Sequence, residues 1–246
     1  MIALRMLKAI FFDIDDTLYS TTEFAARARR AAVEALRTHG VRLPTEILLR
    51  ELEEVISEFS SNYEHHIDKL LLRLPHDAAP GINPAILVAA AVRSYHDAKR
   101  DALRPFDDVP PALRRLAATS LIRGVITTGL QVKQAEKLLR LGLYPYLTPS
   151  AIFISDQIGI SKPNPKLFQR ACDDLRLSPS ECIHVGDHPA HDIDPANAIG
   201  MITVLTCRNT KHAQEPSKSS PRHSVSDLTE LLTLLEREYK VVLPPT

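Results

Sequence analysis

The feature that most constrains the fold is an alternation of short apolar segments and helical segments in the second part of the chain. Segments typical of buried strands lie at 121–127, 151–154, 182–185 and 201–205. Helical patterns lie between and after them, at 131–141, 165–175, 190–199 and 227–239. Because repeated strand–helix units form parallel sheets covered by helices on both faces, the sequence predicts an α/β fold with a parallel sheet.

The N-terminal region contains one more predicted strand, and it ends in carboxylates. Residues 8–12 form a short run rich in β-branched and aromatic side chains. Asp13, Asp15 and Thr17 then alternate, so an extended chain would point all three to one side. Two carboxylates this close repel each other unless a cation or a shared proton compensates them. The plainer alternative is a strand-to-loop turn, where Asp is common.

The segment between these two regions is helical throughout. Apolar residues recur at helical spacing over 24–36, from Pro44 to residue 59, over 63–74 and over 84–100, and no strand pattern interrupts them. We therefore predict an α/β core domain formed by 1–19 and 103–246, with an all-helical domain inserted at 20–102. The segment 207–224, rich in Ser, Lys, His and Pro, is predicted to be a mobile surface loop.

Composition excludes several classes of function. Hydrophobic residues make up 44% and charged residues 24% of the chain, as in ordinary globular proteins. Thirty basic and thirty acidic side chains cancel, so neither nucleic acid nor a membrane is expected as a partner. Cys172, Cys182 and Cys207 form no C-x-x-C pair, and no stretch of 18 apolar residues occurs. These features predict a cytoplasmic protein.

Polar residues also follow the later predicted strands. Thr127, Thr128 and Gly129 end one strand at a helix N-terminus, an arrangement suited to cradling a phosphate. Asp187 and Asp192 follow the strand at 182–185. Before that strand stands a lysine in a loop held by two prolines, in Ser161-Lys162-Pro163-Asn164-Pro165. Each feature alone has an ordinary structural explanation. Together these features predict a group of polar and charged side chains at the edge where ligands bind open parallel sheets.

With these residues in this order, the chain resembles the haloacid dehalogenase superfamily. The motifs that carry the resemblance are Asp13-x-Asp15-x-Thr17, Thr127, Lys162 and Gly186-Asp187-x4-Asp192. The resemblance covers about 5–19 and 103–239, and the helical insert looks like the type-1 cap of that family. It implies a Rossmann-like, doubly wound parallel sheet and an Mg²⁺-dependent phosphatase.

The resemblance also implies roles for individual residues. Asp13 would be the nucleophile that becomes an aspartyl-phosphate, and Asp15 would be the general acid and base. Mg²⁺ would be held by the Asp13 carboxylate, the Asp15 carbonyl and Asp187. Thr127 and Lys162 would bind the phosphate oxygens.

Four other residues complete the predicted site. Thr128 and Gly129 belong to the phosphate-binding turn, and Thr17 and Asp192 support the residues that touch the metal and the phosphate. His188 and His191 match no role in the family and are interpreted as structural or solvent-facing.

Several functions stay open at this point. The main prediction is hydrolysis of a small phosphorylated metabolite. A sugar-phosphate mutase has the same core, and a metal-free haloacid dehalogenase is disfavoured because Asp15 is acidic here. A non-catalytic binding protein on a degenerate core is disfavoured because every catalytic position is intact.

The helix predicted at 63–74 gives one further hypothesis. Its apolar face consists of Ile67, Leu70, Leu71 and Leu74. Its opposite face carries His65, His66, Lys69 and Arg73. This basic face is either solvated or, with Tyr63, contacts the leaving group of the substrate.

Overall fold

A six-stranded parallel sheet forms the centre of the larger part of the molecule, in strand order β3-β2-β1-β4-β5-β6. The structure is a computed structural model, and it describes residues 6–60, 63–208, 212 and 215–244. The strands are β1 (Ala9–Phe12), β2 (Ile122–Thr127), β3 (Ile152–Ile154), β4 (Cys182–Gly186), β5 (Ile202–Thr206) and β6 (His223–Val225).

Helices flank this sheet, and helices joined by loops make up the described residues of the inserted segment. Those of the insert are α1 (Thr21–Thr38), α2 (Thr45–Phe59), α3 (His66–Arg73) and α4 (Pro84–Ala102). Those of the α/β part are α5 (Val109–Ala117), α6 (Gln131–Arg140), α7 (Ser155–Ile158), α8 (Pro165–Asp174), α9 (Asp194–Ala198) and α10 (Leu228–Tyr239). The predicted α/β class is confirmed.

The short apolar strand β1 lies between β2 and β4 and is buried along its whole length. Phe12 lies opposite Val125 of β2 and Val185 of β4, so these three strands run in register toward one edge. The backbone N–H of Asp13 still donates to the carbonyl of Val185, at 2.9 Å. The residues that follow each strand are therefore delivered to the same edge of the sheet.

The chain divides into two compact units. One comprises the chain up to Ser20 together with the chain from Arg104 onward, and the other is Thr21–Leu103. Within the helical unit α1 and α4 pack against each other. The core of that unit includes Leu36, Leu48, Leu52, Leu70 and Leu87. No helix of the described residues is long and apolar enough to cross a membrane.

Two helices of the α/β part differ from the sequence prediction. The helix α5 was missed because two of its first three residues are prolines, which are tolerated only in a first turn. The helix predicted over 190–199 is split into a π-helical turn, Pro189–Ile193, and α9, which has a proline of its own at its start.

Described residues of the segment 207–224, which is predicted to be a mobile loop, are held by contacts with the core. His223 and Ser224 belong to β6, a strand too short to be recognised by periodicity. The carboxylate of Asp194 accepts hydrogen bonds from the backbone of Lys218 and from Ser217 and Ser219. This part of the segment is therefore tied to α9.

Candidate active site

The centre of the candidate site is a buried lysine between two carboxylates. Lys162 Nζ lies 2.7 Å from Asp13 Oδ1 and 2.5 Å from Asp192 Oδ1, and all three side chains are buried. Burial lowers the pKa of Lys162, but the two carboxylates outweigh it and hold that pKa above its usual value. The ammonium group is therefore fixed, charged and directed at the Asp13 carboxylate.

Asp192 contacts three neighbouring groups and positions them. Besides Lys162, its Oδ1 atom contacts His184 Nε2 at 3.0 Å, and its Oδ2 atom accepts from the backbone N–H of His188 at 3.1 Å. Gly186 permits this packing, because a Cβ atom there would lie 2.3 Å from Asp192 Cγ. Burial raises the pKa of Asp192, but Lys162 and His184 lower it well below its ordinary value.

Asp15 belongs to a separate cluster of charges. Its two carboxylate oxygens lie 2.6 and 2.7 Å from Lys137 Nζ on α6. Gln134 donates to it at 3.2 Å, and the hydroxyl of Tyr19 donates to it as well. Burial raises the pKa of Asp15, but Lys137, Tyr19 and Gln134 together outweigh burial and hold that pKa below its ordinary value. Asp15 is thus held as a carboxylate.

The expectation that one extended segment points Asp13, Asp15 and Thr17 to one side is wrong. The strand ends at Phe12, and Asp16 has a left-handed backbone with φ of 55°. The turn carries Thr17 to Asp187, with 3.5 Å between Thr17 Oγ1 and Asp187 Oδ1. A tight turn, and not an extended chain, brings these residues to the sheet edge.

Negative charge exceeds positive charge at this edge. Burial, and then Asp192 and other carboxylates, raise the pKa of Asp187 to about 8. Burial is also the largest influence on Asp13, whose pKa is raised to about 7 although Lys162 lowers it. Two buried carboxylates that retain protons near neutral pH indicate a site that lacks a positive charge.

The donor set fits Mg²⁺. Oxygen atoms of Asp13, Asp187 and Asp192 lie within 4.8 Å of one another. Magnesium prefers carboxylate and carbonyl oxygens. Because the oxygens of Asp192 are occupied by Lys162, His184 and the backbone, Asp13 and Asp187 are the carboxylates suited to hold the ion.

The turn formed by Thr127, Thr128 and Gly129, which is predicted to bind phosphate, has donors that are partly engaged. Thr127 ends β2 and is buried. The Thr128 hydroxyl accepts from the backbone N–H of Lys162 at 3.3 Å, which joins the two motifs. The Gly129 N–H donates to Ser155 Oγ at 3.0 Å, so Gly129 shapes the turn and is not a free donor.

Sequence reasoning missed four residues around the predicted ones. Lys137, Gln134 and Tyr19 surround Asp15, and His184 contacts Asp192. The only signal for His184 is a polar residue in the middle of an otherwise apolar strand. No local pattern separates Lys137 from the other basic residues of α6.

The basic face of α3 is partly neutralised within the helical unit. Arg73 lies 2.5 Å from Glu58 and 4.0 Å from Glu54. Lys69 lies over the ring of Phe59, with 5.6 Å from Nζ to the ring centroid. The hypothesis that this face contacts the substrate stays a prediction.

Comparisons with known proteins give a consistent result. The model of the haloacid dehalogenase-like hydrolase family matches residues 7–200. A glyceraldehyde 3-phosphate phosphatase from Methanopyrus kandleri is 42% identical over 94% of this chain and 97% of its own length. The enzyme of the same name from Pyrococcus furiosus is 38% identical over 96% of this chain and 95% of its own length. The crystal structure of a HAD phosphatase from Thermococcus onnurineus has a TM-score of 0.64 and 22% identity, and covers 93% of this chain and 98% of that one.

Proposed function

The chain belongs to the haloacid dehalogenase-like hydrolase family and is a phosphatase for a small phosphorylated metabolite, and from that premise we propose its mechanism and substrate. The observation that carries the mechanism is the contact of Lys162 with Asp13, at 2.7 Å, at a sheet edge rich in carboxylates. If a phosphoryl group lay next to Asp13, the Lys162 ammonium group could bind its oxygens and the Asp13 carboxylate could attack its phosphorus.

We propose that Asp13 attacks phosphorus and that Asp15 transfers the protons. In the first step a bond forms between an Asp13 oxygen and phosphorus, the bond to the leaving oxygen breaks, and Asp15 gives that oxygen a proton. In the second step water attacks the phosphorus of the aspartyl-phosphate and gives its proton to Asp15. The Asp13–phosphorus linkage breaks, phosphate leaves, and both side chains return to their starting states.

The surroundings of Asp15 suit the two steps unequally. The contact of both its oxygens with Lys137 favours the ionised form, which the second step requires. That same contact opposes the protonated form, which the first step requires. Lys137 is therefore expected to control how readily Asp15 acts as an acid.

We further propose that the Asp13 carboxylate, the Asp15 carbonyl and Asp187 hold Mg²⁺. When bound, the ion supplies positive charge that compensates the carboxylates and the developing charge on the phosphoryl group. Lys162 and Thr127 are the proposed contacts of the other phosphate oxygens. Asp192 and Thr17 position Lys162 and Asp187, respectively.

For the substrate we propose glyceraldehyde 3-phosphate. Support comes from the names of the relatives that match nearly the whole chain at 38–42% identity. The unit Met1–Ser20 and Arg104–Thr246 carries every proposed catalytic residue, and Thr21–Leu103 is the proposed cap. We also propose a cytoplasmic setting, on the odd number and the spacing of the three cysteines.

The test is phosphate release with Mg²⁺ from glyceraldehyde 3-phosphate, dihydroxyacetone phosphate, phosphoserine, ribulose 1,5-bisphosphate and a hexose 1-phosphate. We expect the first to have the highest kcat/KM. Asp13→Asn should abolish turnover with an unchanged circular dichroism spectrum, while the matched variant of an exposed carboxylate, Asp107→Asn, should keep wild-type activity. Substantial turnover by folded Asp13→Asn would exclude Asp13 as the nucleophile.

The same panel separates the alternative reactions. Conversion of the hexose 1-phosphate to its 6-phosphate without phosphate release would indicate a mutase. Halide release from a 2-haloacid without added metal would indicate a dehalogenase. Either result, together with no phosphate release from the panel, would overturn the proposed hydrolysis.

A further inference from the structure

A second cluster of metal-binding side chains lies outside the carboxylate site. It consists of His188, His212 and Glu215, whose potential ligand atoms all lie within 4.8 Å of one another. His188 follows β4 directly after Asp187, whereas His212 and Glu215 belong to the connection between β5 and β6. The cluster thus joins two segments that are distant in sequence.

Glu215 is the residue that brings the two imidazoles together. Its Oε2 atom lies 3.1 Å from His188 Nε2, and its Oε1 atom lies 2.5 Å from His212 Nδ1. The His188 and His212 rings stack with 4.2 Å between centroids and 19° between planes. Two imidazole nitrogens and a carboxylate are therefore already gathered around a common point.

The His188 ring is held in place by stacking on two other imidazoles. His191 stacks on it with 4.2 Å between centroids and 14° between planes, in addition to the stacking of His212. Its Nδ1 atom is buried and has no hydrogen-bond partner among the described residues. Because the stacked rings fix the imidazole, its other nitrogen, Nε2, is kept facing Glu215 and is the atom available to a metal ion at the cluster.

The donor types identify the class of ion. Two imidazoles and one carboxylate form a set typical of Zn²⁺, with a fourth position left for water. Mg²⁺ prefers oxygen donors only, so it suits the carboxylates of Asp13 and Asp187 and not this cluster. Zinc ligands lie about 2.0–2.2 Å from the metal, so its donor atoms are separated by roughly 3.3 Å. Small side-chain shifts from the observed separations of 2.5 and 3.1 Å would open room for the ion.

We propose that His188, His212 and Glu215 form a binding site for a divalent transition-metal ion, Zn²⁺ in particular, separate from the Mg²⁺ site. The ion clamps the connection between β5 and β6 onto the residue that follows Asp187. Because the His188 backbone N–H also donates to Asp192, the clamp restrains the loop that carries both of these carboxylates. The site is a structural one, and it stands whether or not the proposed substrate is correct.

The experiment uses full-length protein that has been treated with a chelator and then saturated with Mg²⁺ to fill the carboxylate site. Zn²⁺ is titrated by calorimetry, and Co²⁺ is used as a spectroscopic substitute for zinc. We expect one equivalent of Zn²⁺ to bind in the presence of Mg²⁺, and Co²⁺ to give the visible absorption of a four- or five-coordinate site with nitrogen ligands. Asp13→Asn should leave this binding unchanged.

The deciding variants are His212→Ala and Glu215→Gln, because both side chains are in the surface connection and neither is in the proposed catalytic site. Each should weaken Zn²⁺ binding by more than about tenfold, the effect expected even when an outer partner of a metal ligand is lost. His76→Ala, at an exposed histidine of the helical unit, should bind Zn²⁺ like the wild type. Circular dichroism verifies that each variant is folded.

Two results would overturn the proposal. One is a wild-type protein that binds no Zn²⁺ once Mg²⁺ is saturating. The other is full retention of the zinc equivalent in both His212→Ala and Glu215→Gln, which would assign the ion to a different set of ligands.

Discussion

Stability of the metal-free protein should fall as the pH rises, because two buried carboxylates retain protons in the folded state. The pKa of Asp13 is raised to about 7 and that of Asp187 to about 8, from a usual value of 3.8. At pH values between 3.8 and these raised pKa values, the folded state holds protons that the unfolded state has released. The contribution of these two carboxyl groups to stability is complete below about pH 4. It is lost as the pH rises through their pKa values in the folded state.

The expected magnitude follows from proton counting. Each proton retained only by the folded state lowers the free energy of unfolding by about 1.4 kcal/mol per pH unit. Between about pH 5 and about pH 7, one such proton makes a difference of about 3 kcal/mol. That is a large part of the roughly 5–15 kcal/mol that stabilises a typical domain.

The measurement compares urea unfolding of the wild type and of Asp187→Asn across this pH range in excess chelator. His184 has a pKa lowered by burial, and its effect on stability has the opposite sign. It is present in both proteins, so it cancels in the difference. Relative to Asp187→Asn, the wild type should lose about 1.4 kcal/mol per pH unit. Mg²⁺ should stabilise the wild type more at the higher pH, because it binds the ionised carboxylates. Equal pH slopes in the two proteins would refute this account.

Three further predictions follow from the same region. Asp15→Asn should abolish turnover but keep Mg²⁺ affinity, whereas Asp187→Asn should lose that affinity; equal loss in calorimetry would contradict a carbonyl contact from Asp15. Lys137→Met removes an ammonium group 2.6 Å from Asp15, so the pKa of Asp15 should rise. The acidic limb of the pH profile of kcat should then move to higher pH. An unmoved limb would contradict control of the Asp15 pKa by Lys137. Gly186→Ala places a Cβ atom 2.3 Å from Asp192 Cγ, and urea unfolding should show a loss of about 2 kcal/mol; a neutral effect would mean that the buried carboxylate can move.

Residues at the ends of strands were predictable from the sequence, because the topology of a parallel sheet decides where they meet. Asp13 and Asp187 follow two neighbouring strands, and Lys162 stands in a loop fixed by prolines. Periodicity identifies the strands. Because the carboxyl ends of parallel strands lie at one edge of the sheet, the residues that follow them are expected to lie close together.

Residues on helix surfaces and inside strands could not be placed in this way. Lys137 is one of several basic residues on α6, and only the orientation of that helix brings it to Asp15. His184 occupies a strand whose other side chains are apolar, and its partner Asp192 lies beyond the next turn. The π-helical turn Pro189–Ile193 keeps an apparently helical pattern, so spacing alone cannot distinguish it.

The central position of β1 has a consequence for synthesis of the chain on the ribosome. This strand is made first, yet its partner β4 begins only at Cys182, and Asp13 and Lys162 are 149 residues apart. Contacts within the helical unit join residues between Thr21 and Leu103, so we expect this unit to fold while its host sheet is still incomplete. Until Gly186 has left the ribosome, the apolar edge of β1 lacks a partner strand, and such edges are prone to aggregation. A nascent chain released before that point should require a chaperone and should have no active site.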